Sequence, residues 1–303
     1  MTLMQKLKIK AWPKLLLPSL LGQSLGVYLS SNFLIEAFFF GMIISVLDLF
    51  YILFLNDVAD EAVDCVKEKV DPHKKFNPLV TGNLKTNSLL LRGVACALMI
   101  FTLSYVASAS LTRPWSLVFS SLMLLTFQAY SFYPIRLNYR GGGELLESLG
   151  LAVLLPWFNA YLQSNILFHP SYITFLPIFF FCLCGAIASG LSDEKSDRIG
   201  GKKTLAVILG QNSAYLVILF CLFLSILSLI FMPMLQKNYY VLPFKAVLFF
   251  ITYQSYQKLK RTKKNKILKH GERINGYKKN LQSLIKKSIF ITSSYYALLG
   301  ALL

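Results

Sequence analysis

Two clusters of carboxylates hold most of the side chains in this sequence that could perform acid, base or metal chemistry. The 303-residue chain has only fourteen acidic residues, and six of them fall between Asn56 and Asp71. These six are Asp57, Asp60, Glu61, Asp64, Glu68 and Asp71. The second cluster consists of Asp193, Glu194 and Asp197. Each cluster follows a long apolar run, so the carboxylates stand where a buried segment ends.

The spacing within each cluster predicts that its acids face in one direction. Asp57, Asp60 and Asp64 are separated by three and then four residues, so on a helix they share one face. Asp193 and Asp197 are likewise one helical turn apart. Carboxylates crowded beside an apolar segment repel each other and are poorly solvated. We therefore expect cations to stabilise both clusters.

Basic residues accompany both clusters and indicate what the acids could bind. The first cluster is followed by Lys67, Lys69, Lys74 and Lys75, and the second is surrounded by Lys195, Arg198, Lys202 and Lys203. Mg2+ prefers oxygen ligands, usually takes one or two carboxylates, and fills its other positions with phosphate and water. The pattern predicts a Mg2+-bound diphosphate between the clusters. The alternative is a set of solvated acids that balance basic neighbours at a membrane interface.

Composition favours a membrane protein over a soluble one. Hydrophobic residues make up 55% of the chain and charged residues 15%, with a mean hydropathy of +0.55. The net charge of +17 could suggest nucleic acid, but the placement of the basic residues argues against that partner. The five cysteines and three histidines show no metal-binding spacing and no disulfide framework.

Nine apolar runs are long enough to cross a bilayer, which requires about 17–25 residues. They cover residues 14–30, 35–55, 88–108, 115–133, 145–163, 171–191, 213–233, 240–256 and 287–303. The predicted fold class is an all-α membrane protein with nine transmembrane helices, and residues 1–303 form a single transmembrane domain.

The distribution of lysine and arginine predicts the orientation of these spans. With the amino terminus in the cytoplasm, only Arg113, Lys237 and Lys245 of the 31 basic residues fall on the outside. Both acidic clusters then lie on the cytoplasmic side. The strongly basic segment 258–287 is predicted to lie along the anionic lipids of the inner leaflet.

The connection between the fourth and fifth spans also carries candidate ligand-binding residues. Pro134 is expected to end the fourth helix, and the three glycines at 141–143 allow the backbone to approach a ligand closely. Arg136 and Arg140 could bind phosphate or carboxylate with their planar guanidinium groups. The alternative is an ordinary positively charged cytoplasmic loop with a glycine hinge.

At these positions the sequence resembles the UbiA family of intramembrane prenyltransferases. The run Asn56-Asp57-x-x-Asp60-x-x-x-Asp64 is similar to the first motif of the family, and Asp193-x-x-x-Asp197 to the second. The segment from Gly201 to Gly210 resembles the stretch that follows the second motif in menaquinone-type members, and the resemblance extends over nearly the whole chain. A departure is Asn77-Pro78, where the family often has Arg-Pro; Lys74 or Lys75 could supply that charge.

The resemblance implies a fold, a cofactor and a set of site residues. The fold is nine helices around a central cavity, and the cofactor is Mg2+. The implied metal ligands are Asn56, Asp57, Asp60, Asp64, Asp193 and Asp197, of which the five aspartates are also the catalytic residues. The diphosphate-binding set is Asn56, Lys67, Lys74, Lys75, Tyr133, Arg136, Arg140, Lys195, Arg198 and Lys202.

Three functions are compatible with these residues. The first is Mg2+-dependent transfer of a prenyl group from a polyprenyl diphosphate to a lipophilic acceptor, expected to be an aromatic quinone precursor. The second is a terpene cyclase that uses the same metal site without an acceptor. The third is a transporter, which would place acids along a pathway within the spans. The expected location is a bacterial or archaeal plasma membrane, with the active site on the cytoplasmic side.

Overall fold

The computed structural model describes residues 12–70, 77–82, 84–236, 241–264 and 270–302, and these residues form helices and connecting turns. Lys74 and Lys75, which the sequence placed in the diphosphate-binding set, lie outside the described residues. The all-α fold class is confirmed.

The first half of the chain forms eight helical segments. They are α1 (Trp12–Ser30), α2 (Ile35–Ala59), α3 (Glu61–Val70), α4 (Thr86–Ser110), α5 (Ser116–Ser131), α6 (Leu137–Arg140), α7 (Gly143–Leu149) and α8 (Leu155–Ser164). A single wide turn of π-helix, Gly150–Leu154, joins α7 to α8 without a break, so the two form one continuous rod.

The second half of the chain consists of four long helices. A 3-10 turn, Pro170–Thr174, leads into α9 (Phe175–Ile199), which is followed by α10 (Leu205–Gln236), α11 (Val241–Lys264) and α12 (His270–Leu302). Within α10 the backbone breaks at Gly210, where φ is 75°. This break explains why the sequence pattern placed the start of the seventh span at residue 213 rather than at Leu205.

In the described ranges, helices account for most of each predicted span, but they do not all have the length and apolarity of a transmembrane helix. Within the described ranges, five meet that description: Ile35–Ala59, Thr86–Ser110, Gly143–Ser164, Pro170–Ile199 and Leu205–Ile230. These long apolar helices are consistent with an integral multi-pass membrane protein. The count of nine spans remains a prediction.

The helix α1 is less apolar because it lies inside the bundle. Its polar residues Ser19 and Gln23 are almost completely buried and form hydrogen bonds with side chains of other helices. Large apolar side chains are instead exposed on the outer helices, with Leu91 of α4 71% exposed and Leu125 of α5 61% exposed. Such surfaces suit contact with lipid, whereas the polar side chains of α1 find hydrogen-bond partners inside the bundle.

Separate apolar cores stabilise the two halves, and a third core joins them. The first core is built from α2, α4, α5 and α8, and the second from α9, α10, α11 and α12. The joining core brings Leu21 and Leu25 of α1 against Ile178 of α9 and Tyr296 of α12. The ends of α2 and α9, where the acidic clusters lie, are therefore held in fixed positions.

The described parts of the basic segment 258–287 belong to two of these long helices. Its residues extend α11 and begin α12, and Leu259, Tyr277 and Leu281 are buried in the second core. Lysines such as Lys258 and Lys260 are exposed on the other side. Residues 265–269 lie outside the described residues.

Close contact between α1 and α8 depends on two glycines one turn apart. A Cβ atom at Gly22 would lie 2.1 Å from the carbonyl oxygen of Pro156. A Cβ atom at Gly26 would lie 2.5 Å from Cβ of Gln163 and 2.6 Å from the carbonyl oxygen of Ala160. Small residues at this spacing let two membrane helices approach backbone to backbone.

We expect Gly26→Val to lower the stability of the protein by about 1–3 kcal/mol, because the added methyl groups must push α8 away. The measurement is the melting temperature of the purified protein in detergent. Gly271→Ala is the matched control, since a Cβ there meets nothing within 4 Å. Equal melting temperatures for the two variants would contradict the close packing of α1 on α8.

Candidate active site

The first acidic cluster lies at a joint between two helices rather than on one helical face. The helix α2 ends at Ala59, Asp60 stands at the joint, and α3 begins at Glu61. The amide of Asp60 still donates to the carbonyl of Asn56 (2.9 Å). The expected shared face assumed one helix through Asp57, Asp60 and Asp64, whereas Asp60 (φ −100°, ψ 5°) interrupts it, so Asp57 and Asp64 belong to successive helices.

Asparagine side chains hold this joint in place. Asn77, only 2% exposed, donates through Nδ2 to the carbonyl oxygen of Asp57 (2.6 Å) and to Oδ2 of Asp64 (3.1 Å). Asn56 donates to Oδ2 of Asp60 (3.2 Å). Asn77 is the position at which the sequence departs from the Arg-Pro of the family, and its amide serves to orient an acid.

The second acidic cluster occupies the last two turns of α9 and approaches the first cluster closely. A Cβ atom at Gly200, just after α9, would lie 2.6 Å from Cγ2 of Val63 and 3.0 Å from its Cα. Val63 lies on α3 and is fully buried. The absence of a side chain at Gly200 thus lets the end of α9 pack against α3 and brings the two clusters together.

Lys67 connects the clusters through its ammonium group. Its Nζ lies 3.8 Å from Oδ1 of Asp64, 3.4 Å from Oδ2 of Asp193 and 3.7 Å from Oδ1 of Asp197. Burial alone would lower the pKa of Lys67, but the carboxylates of Asp193, Asp197 and Asp64 outweigh it and raise that pKa above its ordinary value. Lys67 therefore remains a cation among three acids.

Lys202 forms the second link between the two halves. Its Nζ donates to Oδ2 of Asp60 at 2.7 Å, and both side chains are less than 10% exposed. The chain turns sharply after α9, and the amide of Lys202 donates to the carbonyl of Asp197 (2.8 Å). This turn aims the side chain of Lys202 back towards the first cluster.

A small polar cavity of about 100 Å³ lies beside these residues. It is lined by Lys67, Tyr130, Asn138, Glu144, Glu147, Ala186, Ser189, Gly190, Asp193, Asp197, Lys202 and Thr204. Three buried atoms of lining residues form no hydrogen bond within the described part of the chain: Nδ2 of Asn138, Oε2 of Glu144 and Oδ1 of Asp197. Buried polar atoms are normally paired, so this cavity has the character of a binding site for a polar group.

A larger cavity of about 420 Å³ adjoins the small one. The two share the lining residues Tyr130, Glu147, Ser189 and Asp193. The larger cavity is also lined by Asn56 and Asp60 and by apolar side chains of α2, α5 and the π-turn. A polar site thus opens into an apolar space inside the bundle.

Several residues predicted from the sequence are placed elsewhere. The guanidinium of Arg136 stacks on the ring of Tyr139 at 3.7 Å, and that of Arg140 lies 6.0 Å from the ring of Tyr133. Arg198 pairs with Glu194 at 2.9 Å and is largely exposed. Four other residues predicted from the sequence line neither cavity: Asp57, Asp64, Lys195 and Tyr133, of which Tyr133 is exposed.

Other site residues were not predicted from the sequence. The hydroxyl of Tyr139 donates to Oδ1 of Asp60 at 3.3 Å, or to the carbonyl of Ala59 at 3.0 Å. Glu144 accepts from the amide of Leu205 (2.7 Å) at the start of α10. Both residues lie in or beside the triple-glycine connection, whose composition had already suggested close approach to a ligand.

The donor set suits Mg2+. In the described ranges, no three acidic, histidine or cysteine side chains converge closely enough to hold a metal ion alone. Mg2+ commonly takes only one or two carboxylates, however, and leaves its other positions to phosphate and water. Asp64 faces Asp193 and Asp197 across Lys67, and Asp60 lies at Lys202, so each cluster can supply one or two carboxylate ligands.

The fold of this chain is similar to that of two UbiA homologues of known structure. The chain is similar to a UbiA homologue from Archaeoglobus fulgidus bound to GPP and Mg2+, with a TM-score of 0.71 at 14% identity over 96% of this chain and 99% of that one. It is also similar to the apo structure of a UbiA homologue from Aeropyrum pernix K1, with a TM-score of 0.67 at 15% identity over 91% and 96% of the two chains. At these identities the similarity establishes the fold alone.

Sequence comparison identifies the family. A curated relative, the digeranylgeranylglyceryl phosphate synthase of Sulfurisphaera tokodaii, is 28% identical over 169 residues. The match covers 54% of each chain, so this chain spans about half the length of the curated relative. The family model for UbiA prenyltransferases matches residues 15–272. This match covers most of the sequence and confirms the resemblance: the chain belongs to the UbiA prenyltransferase family.

Proposed function

We propose that this protein transfers a prenyl group from a polyprenyl diphosphate to a lipophilic acceptor, with Mg2+ as cofactor. The observation that carries this proposal is the pair of opposed carboxylate clusters, linked by Lys67 and Lys202, at the end of an apolar cavity. A prenyl diphosphate has the same division into a highly charged end and an apolar chain. Membership in the prenyltransferase family supports this function.

The proposed roles follow from the positions of the side chains. Asp60, Asp64, Asp193 and Asp197, together with Asn56, would hold Mg2+. When bound, Mg2+ would stabilise the charge that develops on the leaving diphosphate. Lys67 and Lys202 carry ammonium groups that can exchange carboxylate contacts for contacts with phosphate oxygens. The resemblance also places Asp57 among the metal ligands, and its carbonyl oxygen accepts a hydrogen bond from Asn77 at the helix joint.

The apolar cavity serves the second half of the reaction. Ionisation of an allylic diphosphate produces a carbocation, which water would capture unless the site excludes it. Side chains such as Leu49, Ile52 and Phe127 line the cavity and keep its interior apolar. The acceptor can then attack the cation before water does.

Two acceptor classes are compatible with the site. The sequence motifs favour an aromatic quinone precursor, whereas the name of the Sulfurisphaera relative describes synthesis of a glyceryl phosphate that carries two geranylgeranyl groups. Both classes present a hydroxyl-bearing nucleophile on a lipophilic molecule. The proposed location is the plasma membrane of a bacterium or archaeon, with the site on the cytoplasmic side and the basic segment 258–287 near anionic lipids.

The experiment that tests this function measures pyrophosphate release by the purified protein in detergent. The assay contains Mg2+ and geranylgeranyl diphosphate, with an aromatic or a glyceryl phosphate acceptor added in turn. Release that requires one of the acceptors supports the transferase and identifies the acceptor class. Release without any acceptor, together with a cyclic product, would favour a cyclase instead.

We expect Asp193→Asn to reduce prenyl transfer by about a hundredfold or more, because several kcal/mol of charge stabilisation are lost. Glu194→Gln is the matched control. Glu194 is the neighbouring acid, but it pairs with Arg198 and Gln211 rather than facing the other cluster. Initial rates at several Mg2+ concentrations give the comparison, and a similar loss in both variants would argue against a specific role for Asp193.

We expect Lys202→Met to weaken diphosphate binding and to destabilise the unliganded protein. Removing one partner of a buried ion pair leaves Asp60 uncompensated, which commonly costs about 3–5 kcal/mol. Lys85→Met is the control for stability, because Lys85 immediately precedes α4 and its side chain is exposed to solvent. The measurements are the melting temperature without Mg2+ and the KM for the diphosphate. An unchanged melting temperature for Lys202→Met would contradict the buried pair.

A further inference from the structure

A carboxylate deep within α2 is unaccounted for by the proposed diphosphate site. Asp48 is only 5% exposed and lines the 420 Å³ cavity. Its Oδ1 atom is buried and accepts no hydrogen bond from any residue in the described ranges. It lies within one of the apolar candidate spans, Ile35–Ala59.

An unpartnered carboxyl group in this position is costly. Burial of a polar group without a hydrogen bond is unfavourable, and ionisable residues within membrane spans commonly mark ligand sites. The neighbouring polar residues do not relieve Asp48. The hydroxyl of Ser45, one turn earlier on α2, donates to the carbonyl of Gly41 (2.7 Å) rather than to Asp48. A hydrogen-bond donor from a ligand in the cavity would relieve the cost.

The position of Asp48 along the helix separates it from the diphosphate site. Asp48 lies eight residues before Asn56, which corresponds to about 12 Å along a helix axis. Leu49, Ile52 and Leu53 line the cavity within that interval. The cavity therefore has a polar group at each end and apolar walls between them.

The charges around the cavity limit what can bind beside Asp48. Lys14 is the only basic residue among the described lining residues, and it already pairs with Glu147. A carboxylate on the ligand would be buried beside Asp48 with no available cation among the described lining residues, which is unfavourable. A neutral hydroxyl group, by contrast, can donate directly to the carboxyl oxygen.

We propose that Asp48 is a positioning residue that accepts a hydrogen bond from a neutral hydroxyl group of the acceptor. The acceptor is thus a lipophilic alcohol or phenol without a carboxylate at that end, and its hydroxyl fixes how deeply it enters the cavity. The statement that this ligand is the acceptor rests on the proposed transferase function. The statement that Asp48 binds a hydroxyl group does not depend on that function.

The test measures equilibrium binding to the full-length protein in detergent, without Mg2+ or diphosphate. One pair of probes is 1-naphthol and its methyl ether, 1-methoxynaphthalene, which has no hydroxyl group. A second pair is 1-O-hexadecylglycerol and its dimethyl ether. Comparing the results for the two pairs shows whether the site prefers a phenol or an aliphatic alcohol. The variants are Asp48→Leu, Asp48→Asn, which keeps an oxygen acceptor, and the control Ser45→Ala.

With at least one of the two probe pairs, we expect wild-type protein to bind the hydroxyl probe about ten- to a hundredfold more tightly than the corresponding ether. This ratio corresponds to the free energy of one hydrogen bond to a charged group. Asp48→Leu should abolish the preference, Asp48→Asn should retain part of it, and Ser45→Ala should retain it fully. A merely structural role would weaken both members of a pair equally. An unchanged preference in Asp48→Leu, or no preference or no binding in wild-type protein, would overturn the proposal.

Prenyl-transfer assays on the same variants separate this proposal from the proposed function. Asp48→Leu should raise the KM for the acceptor while leaving the KM for geranylgeranyl diphosphate unchanged. Transfer by Asp48→Leu with an unaltered acceptor KM would refute the role of Asp48 and leave the transferase intact. Loss of the hydroxyl preference in a protein that transfers nothing would support the site and refute the transferase.

Discussion

The arrangement of this protein depends on the need to compensate buried carboxylates with cations from the opposite half of the chain. Asp60 belongs to the first half, and the ammonium group that it contacts, Lys202, belongs to the second. Lys67 makes the reciprocal connection, from the first half to Asp193 and Asp197. Neither half could bury its acids alone at low cost, because an isolated charge away from water is strongly unfavourable. The two halves are therefore joined at the place where the chemistry is proposed to occur.

Close packing makes these contacts possible. Gly200 lets the end of α9 approach Val63, and the joint at Asp60 turns α3 towards α9. Asn77 then fixes the orientation of Asp64. The same ammonium groups are suited to receive a phosphate, since a ligand with several negative oxygens can replace a carboxylate as their partner. The contacts that stabilise the unliganded protein would thus be the ones that a diphosphate exchanges on binding.

The sequence predicted the helices well because long apolar runs and the spacing of the acids are local patterns. It placed both acidic clusters at helix ends, and the resemblance carried by those motifs identified the family. It did not predict the joint at Asp60, since periodicity alone cannot show where a polar helix changes direction. Asn77 and Glu144 were missed because their roles depend on contacts with distant residues. Asp48 gave a readable signal, an acid in the middle of the second predicted span, but it belongs to neither acidic cluster.

The π-turn at Gly150–Leu154 has a consequence for how this scaffold can change over evolution. A π-turn holds one residue more than an α-helical turn, and each residue rotates a helix by about 100°. Loss of one residue there would turn α7 relative to α8, so that different side chains from α7, in place of Leu146 and Glu147, would face the cavity. The acidic clusters on α2 and α9 would keep their own helical register. A single-codon deletion could therefore reshape both cavities on the side of α7, where Glu144 and Glu147 lie, while the aspartates of the two clusters stayed in place.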